Sequence, residues 1–178
     1  MIKEIYLAGG CFWGVEAYFK QIDGVVDTEV GYANGRSKET NYQKVALTDH
    51  AETVHIKYND EIISLEKLLE YLYYIIDPFS VNKQGNDIGR QYRTGVYSKD
   101  IKDLEKTKEF LKRKQDKADK EIRVEVEELK NFIIAEDYHQ DYLDKNPRGY
   151  CHINLNDRPK FKWILWGAHM CIFFYEKY

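Results

Sequence analysis

A cysteine enclosed by glycines and aromatic residues, GCFWG at residues 10–14, constrains the fold of this chain most. The preceding residues 2–8 are rich in strand formers, whereas residues 15–22 space their apolar side chains at helical intervals. The motif therefore predicts a strand-to-helix turn with Cys11 at the start of the helix. Unpaired backbone N–H groups and the helix dipole favour the reactive thiolate at such a position. The alternative interpretation is an inert, buried structural cysteine.

Further strands and helices follow this turn at regular intervals. Apolar patterns predict strands at 25–33, 53–58, 92–97 and 122–126, and helices at 65–76, 100–119 and 136–143. Ser64 is predicted to cap the first of these helices. In the second helix, Ile101, Leu104 and Leu111 are predicted to face inward. Residues 80–91 carry no periodic pattern and are predicted to form a functional loop. This order predicts an α+β fold with a mixed sheet of split β-α-β, ferredoxin-like type and helices mainly on one face.

Length and composition predict a single domain over residues 1–178, with an atypical apolar tail at 155–178. The net charge of -3 comes from well-mixed acids and bases, which argues against nucleic acid as a partner. The apolar run at 163–175 is too short to span a membrane and is predicted to pack as an extra strand or helix, or to form a partner surface. With no secretory signal pattern, the expected compartment is the cytoplasm.

Three cysteines, Cys11, Cys151 and Cys171, lie far apart in the sequence. Their odd number and lack of zinc-like spacing predict thiol chemistry in a reducing compartment, without a metal. Cys171 lies among apolar residues that favour an inert, buried thiol.

Polar residues cluster at 41–42, 49–52 and 84–92, each next to a predicted strand. Glu52 is the first candidate for a proton donor, because a carboxyl group held against the aromatic residues would have a raised pKa. The simpler alternative for Glu52 is a surface carboxylate. His50 could instead pair with Cys11, as in thiol hydrolases, although a loop histidine more often serves local hydrogen bonding.

Four segments taken together resemble the successive signatures of peptide methionine sulfoxide reductase A: GCFWG at 10–14, DHAE at 49–52, QGNDIGRQYR at 84–93 and AEDYHQ at 135–140. They stand in that family's order, and the resemblance runs from about residue 3 to residue 155. It implies thiol-dependent reduction of the S epimer of methionine sulfoxide, free or in oxidised proteins, through a sulfenic acid on the cysteine. It requires no cofactor.

The resemblance also implies roles for individual residues. Cys11 would be the nucleophile and Glu52 the proton donor, with hydroxyl donors from Tyr42 and Tyr92. Phe12 and Trp13 would surround the methyl group of the substrate. Supporting roles would fall to Asp87, which binds substrate or orients Arg90 or a water, and to His139.

The second thiol decides how the enzyme is recycled. Cys151 stands where many family members keep a resolving cysteine, and thioredoxin would open a Cys11–Cys151 disulfide. In the alternative scheme, glutathione with glutaredoxin resolves the sulfenic acid directly, and Cys171 is a further candidate thiol. Two other functions stay open at this point, a Cys-His thiol hydrolase using His50 or His139 and a non-catalytic peptide-binding module.

Overall fold

A computed structural model describes residues 1–159 in full and, for their backbone alone, residues 162–166 and 169–173. The helices are α1 Phe12–Phe19, α2 Leu65–Ile75, α3 Ile101–Gln115 and α4 Tyr142–Lys145. The strands are β1 Ile2–Gly9, β2 Val25–Ala33, β3 Ala51–Asn59, β4 Lys83–Gln84, β5 Asp87–Ile88, β6 Thr94–Ser98, β7 Glu125–Glu128, β8 Phe132–Ile134, β9 Lys162–Trp166 and β10 His169–Phe173.

Six of these strands form one mixed sheet in the order β7-β6-β1-β3-β2-β8. β1 is antiparallel to β3 and β6, β2 is antiparallel to β3 and β8, and β6 is parallel to β7. Thus α1 links two parallel strands separated by β3, and α2 links two parallel strands separated by β1. These two interleaved split β-α-β units confirm the predicted ferredoxin-like arrangement.

The two faces of the sheet bury different partners because side chains alternate along each strand. Ile5 and Leu7 of β1 belong to the main core, which also contains Val15 of α1, Leu68 of α2 and Phe110 of α3. On the opposite face, Tyr6 and Ala8 of β1 pack with Ala33, Ala51 and Tyr97 of neighbouring strands. The helices therefore cover one face, as the sequence predicts.

Several element boundaries differ from the prediction. Ile101 is 69% exposed because it is the first residue of α3 after the Asp100 cap, so its predicted inward orientation is wrong. In place of the helix predicted at 136–143, only the short helix α4 forms, because Asp141 adopts a left-handed conformation (φ 54°) that separates α4 from the residues before it. β6 begins two residues late because Arg90–Tyr92 forms a 3-10 turn. The short strand β8 has no counterpart in the prediction.

Ser64 caps α2 as predicted, with its side chain accepting a hydrogen bond from the N–H of Lys67. The tail strands β9 and β10 pair with each other in an antiparallel hairpin. Their side chains, including Cys171, lie outside the described residues. Among the described residues, every helix is too short or too polar to cross a membrane.

Candidate active site

Cys11 lies at the N-terminal end of α1, immediately after β1. The chain reverses at Gly10, whose φ of +88° suits glycine, and a Cβ there would lie 2.6 Å from Cβ of Gln84. Cys11 is only 7% exposed, so the thiol is less accessible than the motif suggests. This short turn places the cysteine under the amides of the first helical turn.

The electrostatic environment of Cys11 contains opposing effects. Burial raises the pKa of the thiol, and Glu52 raises it further once that carboxyl group ionises, whereas the backbone N–H groups of Trp13 and Gly14 lower it. The raising effects are larger. The backbone N–H groups at the helix terminus therefore act in the predicted direction, but the larger raising effects keep Cys11 a protonated thiol at neutral pH.

Glu52 lies at the start of β3, beside the same helical turn. It is 1% exposed, and its Oε2 atom accepts a hydrogen bond from the N–H of Phe12 at 3.1 Å. Burial raises the pKa of Glu52 to about 8, although the Phe12 bond opposes the shift, and the charge of Asp87 adds to it. The carboxyl group is thus a buried acid that holds its proton at neutral pH.

Tyr42 and Tyr92 approach this acid from two loops. Burial raises the pKa of both hydroxyls, and the charges of Glu52 and Cys11 raise it further when these groups ionise. The same charges therefore act on both tyrosines, although Tyr42 remains 41% exposed. Both side chains are therefore neutral hydroxyls within electrostatic range of Glu52 and Cys11.

Aromatic rings form a wall next to the thiol. Phe12 is buried against Tyr32 and His139, with ring centroids 5.7 Å and 5.2 Å away. Trp13 stacks on Tyr142 at 3.7 Å and donates its indole N–H to Nδ1 of His139 at 3.0 Å. The wall is apolar, and its indole ring is held in one orientation.

The histidines considered for a Cys-His pair have other partners. Nδ1 of His139 accepts the Trp13 indole N–H, and burial lowers the pKa of His139, so the ring is neutral with its proton on Nε2. His50 is fully buried, with Nδ1 2.9 Å from Oγ1 of Thr48. Neither arrangement supplies the cysteine with a base, which argues against a hydrolase.

Asp87 and Arg90 do not pair with each other. Arg90 instead forms a two-point ion pair with Asp49, so the predicted orientation of Arg90 by Asp87 is wrong. The aspartate, in the small β4–β5 hairpin, accepts a hydrogen bond from the Tyr150 hydroxyl at 3.2 Å and lies 3.9 Å from Nδ1 of His152. Its charge nevertheless acts on Cys11.

Cys151 packs on the helical turn that Cys11 begins. A Cβ at Gly14 would lie only 3.0 Å from Sγ of Cys151, so glycine leaves the space that this thiol occupies. The thiol donates a hydrogen bond to the carbonyl of Ile153 at 3.1 Å, and burial raises its pKa. Cys11 and Cys151 are both free thiols in this structure.

Sequence reasoning missed residues around this site. Tyr150 and His152, which flank Cys151, could have been found from that cysteine alone, whereas the stacking of Tyr142 on Trp13 carries no sequence signal. Arg93, the residue before β6, is buried and donates a hydrogen bond to Glu125 at the start of β7. In residues 1–159, no three His, Cys, Asp or Glu side chains gather as potential metal ligands.

Comparison with known proteins decides the family. The family model for peptide methionine sulfoxide reductase matches residues 3–165. The chain belongs to this family, and it is a methionine sulfoxide reductase. The match continues ten residues beyond the end that the motifs suggest and includes β9 except for its last residue, Trp166.

Solved structures agree with this assignment. Mxr1 from Saccharomyces cerevisiae in reduced form is 40% identical, with 88% of this chain and 93% of that chain covered and a TM-score of 0.81. Methionine sulfoxide reductase A of Corynebacterium diphtheriae is 32% identical over 84% of this chain and 77% of that one, also with a TM-score of 0.81. Mxr1 in complex with Trx2 is 29% identical over 79% and 84%, with a TM-score of 0.58.

Proposed function

We propose that this reductase converts the S epimer of methionine sulfoxide, free or in oxidised proteins, to methionine through a sulfenic acid on Cys11, and so repairs oxidised proteins. The observation that carries the proposal is the buried acid Glu52, bonded to the amide of Phe12 directly beside the thiol. Reduction of a sulfoxide needs a nucleophile for sulfur and an acid for oxygen at one place. Cys11 and Glu52 supply this pair.

In the first step, Sγ of Cys11 attacks the sulfur of the sulfoxide while the oxygen takes a proton from Glu52. The S–S bond formed by this attack then breaks as the protonated oxygen moves from the substrate sulfur to Sγ of Cys11. The sulfoxide S–O bond is thereby replaced by an S–O bond on the cysteine, and the substrate sulfur gains the two electrons that the cysteine sulfur loses. The proton released by the thiol restores Glu52. The products are methionine and a sulfenic acid, with no cofactor consumed.

Neighbouring side chains orient the substrate for this step. The hydroxyls of Tyr42 and Tyr92 donate hydrogen bonds to the sulfoxide oxygen, and the rings of Phe12 and Trp13 contact the methyl group. Since three different substituents and a lone pair surround a sulfoxide sulfur, fixing the oxygen and the methyl group selects one epimer. His139 supports this selection by holding the Trp13 indole.

The second step regenerates the thiol. Sγ of Cys151 attacks the Cys11 sulfenic acid, a disulfide forms and water leaves. Thioredoxin then opens the disulfide, a role supported by the complex of the related Mxr1 with Trx2. Packing of Cys151 on Gly14 favours this internal route over direct attack by glutathione.

The test uses resolved epimers of methionine sulfoxide with dithiothreitol as reductant. We expect methionine from the S epimer and none from the R epimer, and a dimedone adduct on Cys11 in the Cys151→Ser variant. Absence of methionine from both epimers would overturn the proposal. Consumption of the R epimer alone would overturn the assigned stereochemistry.

A further inference from the structure

The side chain of His152 lies in a space bordered by three glycines. A Cβ at Gly10 would lie 3.1 Å from Nε2 of His152, and a Cβ at Gly14 would lie 3.6 Å from Nδ1. A Cβ at Gly85, in the β4–β5 turn, would lie 3.2 Å from Cβ of His152. The side chain is only 5% exposed. It is therefore enclosed between the Cys11 turn and the hairpin.

The two ring nitrogens of His152 face different groups. Nε2 lies 3.1 Å from the carbonyl oxygen of Gly9, two residues before Cys11. Because a carbonyl only accepts, Nε2 carries the proton. Nδ1 is buried without a hydrogen-bond partner among the described residues, 3.9 Å from Oδ2 of Asp87. Burial lowers the pKa of His152, so the ring is a neutral donor with a fixed tautomer.

Cys151 lies between two residues whose side chains both form hydrogen bonds with residues of the site. Tyr150 before it donates its hydroxyl to Asp87, and His152 after it donates to Gly9. Sγ of Cys151 then rests against Gly14. A cysteine with both neighbours attached has a narrow range of positions, and the bond to Gly9 is the one that joins it directly to the strand leading to Cys11.

We propose that His152 is a positioning residue for the second half of the reaction: its Nε2–H···O bond to Gly9 holds the Cys151 thiol against α1, ready for the Cys11 sulfenic acid. The proposal rests on the proposed function. In that step Sγ of Cys151 bonds to Sγ of Cys11, the S–O bond of the sulfenic acid breaks, and the hydroxyl leaves as water with the thiol proton. His152 neither gains nor loses a proton.

The test is a single turnover of reduced enzyme with one equivalent of methionine S-sulfoxide and no reductant. Methionine, the dimedone adduct of Cys11 and the Cys11–Cys151 disulfide are followed in time by mass spectrometry. In His152→Leu we expect methionine to form while disulfide formation slows about tenfold, the factor that one hydrogen bond of ordinary strength controls. The adduct of Cys11 accumulates accordingly.

Two further variants test whether the donor itself matters. The amide of His152→Gln reaches the Gly9 carbonyl and should restore the rate of disulfide formation, whereas His152→Asn is one methylene shorter and should not. His55→Leu is the matched control, since His55 is a buried histidine on the opposite face of the sheet, stacked on Tyr6. It should leave disulfide formation unchanged.

Each outcome is decisive. Disulfide formation at the wild-type rate in His152→Leu overturns the proposal. Equal rates of disulfide formation in His152→Gln and His152→Asn also overturn it. The comparison of these two variants tests the proposal even if His152→Leu does not fold. Methionine formation by the wild-type enzyme without a Cys11–Cys151 disulfide also overturns it. Absence of methionine with the wild-type enzyme instead overturns the proposed function.

Discussion

The Glu52 carboxyl group accepts a hydrogen bond from the N–H of Phe12 at 3.1 Å, which places an acid one residue away from the Cys11 nucleophile. The contact joins the start of β3 to the start of α1. Because the same amide also lies at the positive end of a helix, it would stabilise the carboxylate that remains after the proton is given away. One hydrogen bond thus both positions the acid and prepares it for donation.

Replacing this acid should slow the first half-reaction. In Glu52→Gln the hydrogen bond from Phe12 can persist, but no proton is available, so methionine formation should fall by about 10²-fold or more. In the wild type the rate should decline as the pH rises through about 8, the pKa of Glu52. Single-turnover methionine formation, measured from about pH 6 to about pH 10 so that the range brackets this pKa, tests both effects. A variant that keeps the wild-type rate and its pH decline would exclude Glu52 as the acid.

The same substitution should change how stability depends on pH. Burial raises the pKa of Glu52 from 4.5 to about 8, so between these values the folded state binds more protons than the unfolded state. The free energy of unfolding therefore falls as the pH rises through this window, by up to about 5 kcal/mol at 1.36 kcal/mol per pKa unit.

Glu52→Gln lacks this ionisation and should be more stable than the wild type above about pH 8, with the difference disappearing below about pH 4. Urea denaturation at both ends of the window measures the effect. A Glu52→Gln curve parallel to the wild-type curve would contradict the prediction.

The fold could be predicted from local patterns because its strands and helices have clear periods. Val54, Ile56 and Tyr58 of β3 alternate and are all buried, as their spacing indicates. The strand β8 could not be predicted, because its three residues, Phe132–Ile134, are held by pairing with β2 rather than by their own pattern. Long periodic segments can be predicted from their own sequence, whereas a short edge strand forms only through pairing with a neighbouring strand.

Where a residue type itself carries chemistry, as for Cys11 and Glu52, the sequence predicts which residues belong to one site, and the structure places Glu52 at the helical turn that Cys11 begins. Relationships across the chain were not predictable in the same way. Arg90 pairs with Asp49 rather than with the nearer aspartate in sequence, because the register of the loops decides which carboxylate it meets. The net shift in the pKa of Cys11 depends on burial, which the helix-terminus argument alone does not contain.

The bond between Trp13 and His139 should control substrate recognition. His139→Leu leaves the indole N–H without its acceptor, which costs about 1–3 kcal/mol when the group is buried, so the indole should turn away from its position. We expect the ratio kcat/KM for methionine S-sulfoxide to fall by about tenfold or more. Steady-state kinetics with dithiothreitol measures this ratio.

His139→Asn and Tyr142→Phe are the controls for that bond. The amide oxygen of Asn lies where Nδ1 of the imidazole lies, so it can accept the indole N–H and should recover much of the lost kcat/KM, and Tyr142→Phe keeps the ring that stacks on Trp13. A loss of the same size in His139→Asn would show that the volume of the imidazole matters rather than its acceptor.

The two described thiols should separate the two halves of the cycle. Cys11→Ser should abolish reduction even with excess dithiothreitol, because a hydroxyl at this position is far less nucleophilic and cannot form a sulfenic acid.

Cys151→Ser should keep dithiothreitol-driven turnover and slow thioredoxin-driven turnover, since the external thiol replaces the internal one only in the first assay. Both rates are obtained from methionine release. Equal thioredoxin-driven rates in Cys151→Ser and in the wild type would show that Cys151 takes no part in recycling. The sulfenic acid on Cys11 would then be resolved by an external thiol alone, which would favour the scheme with glutathione and glutaredoxin.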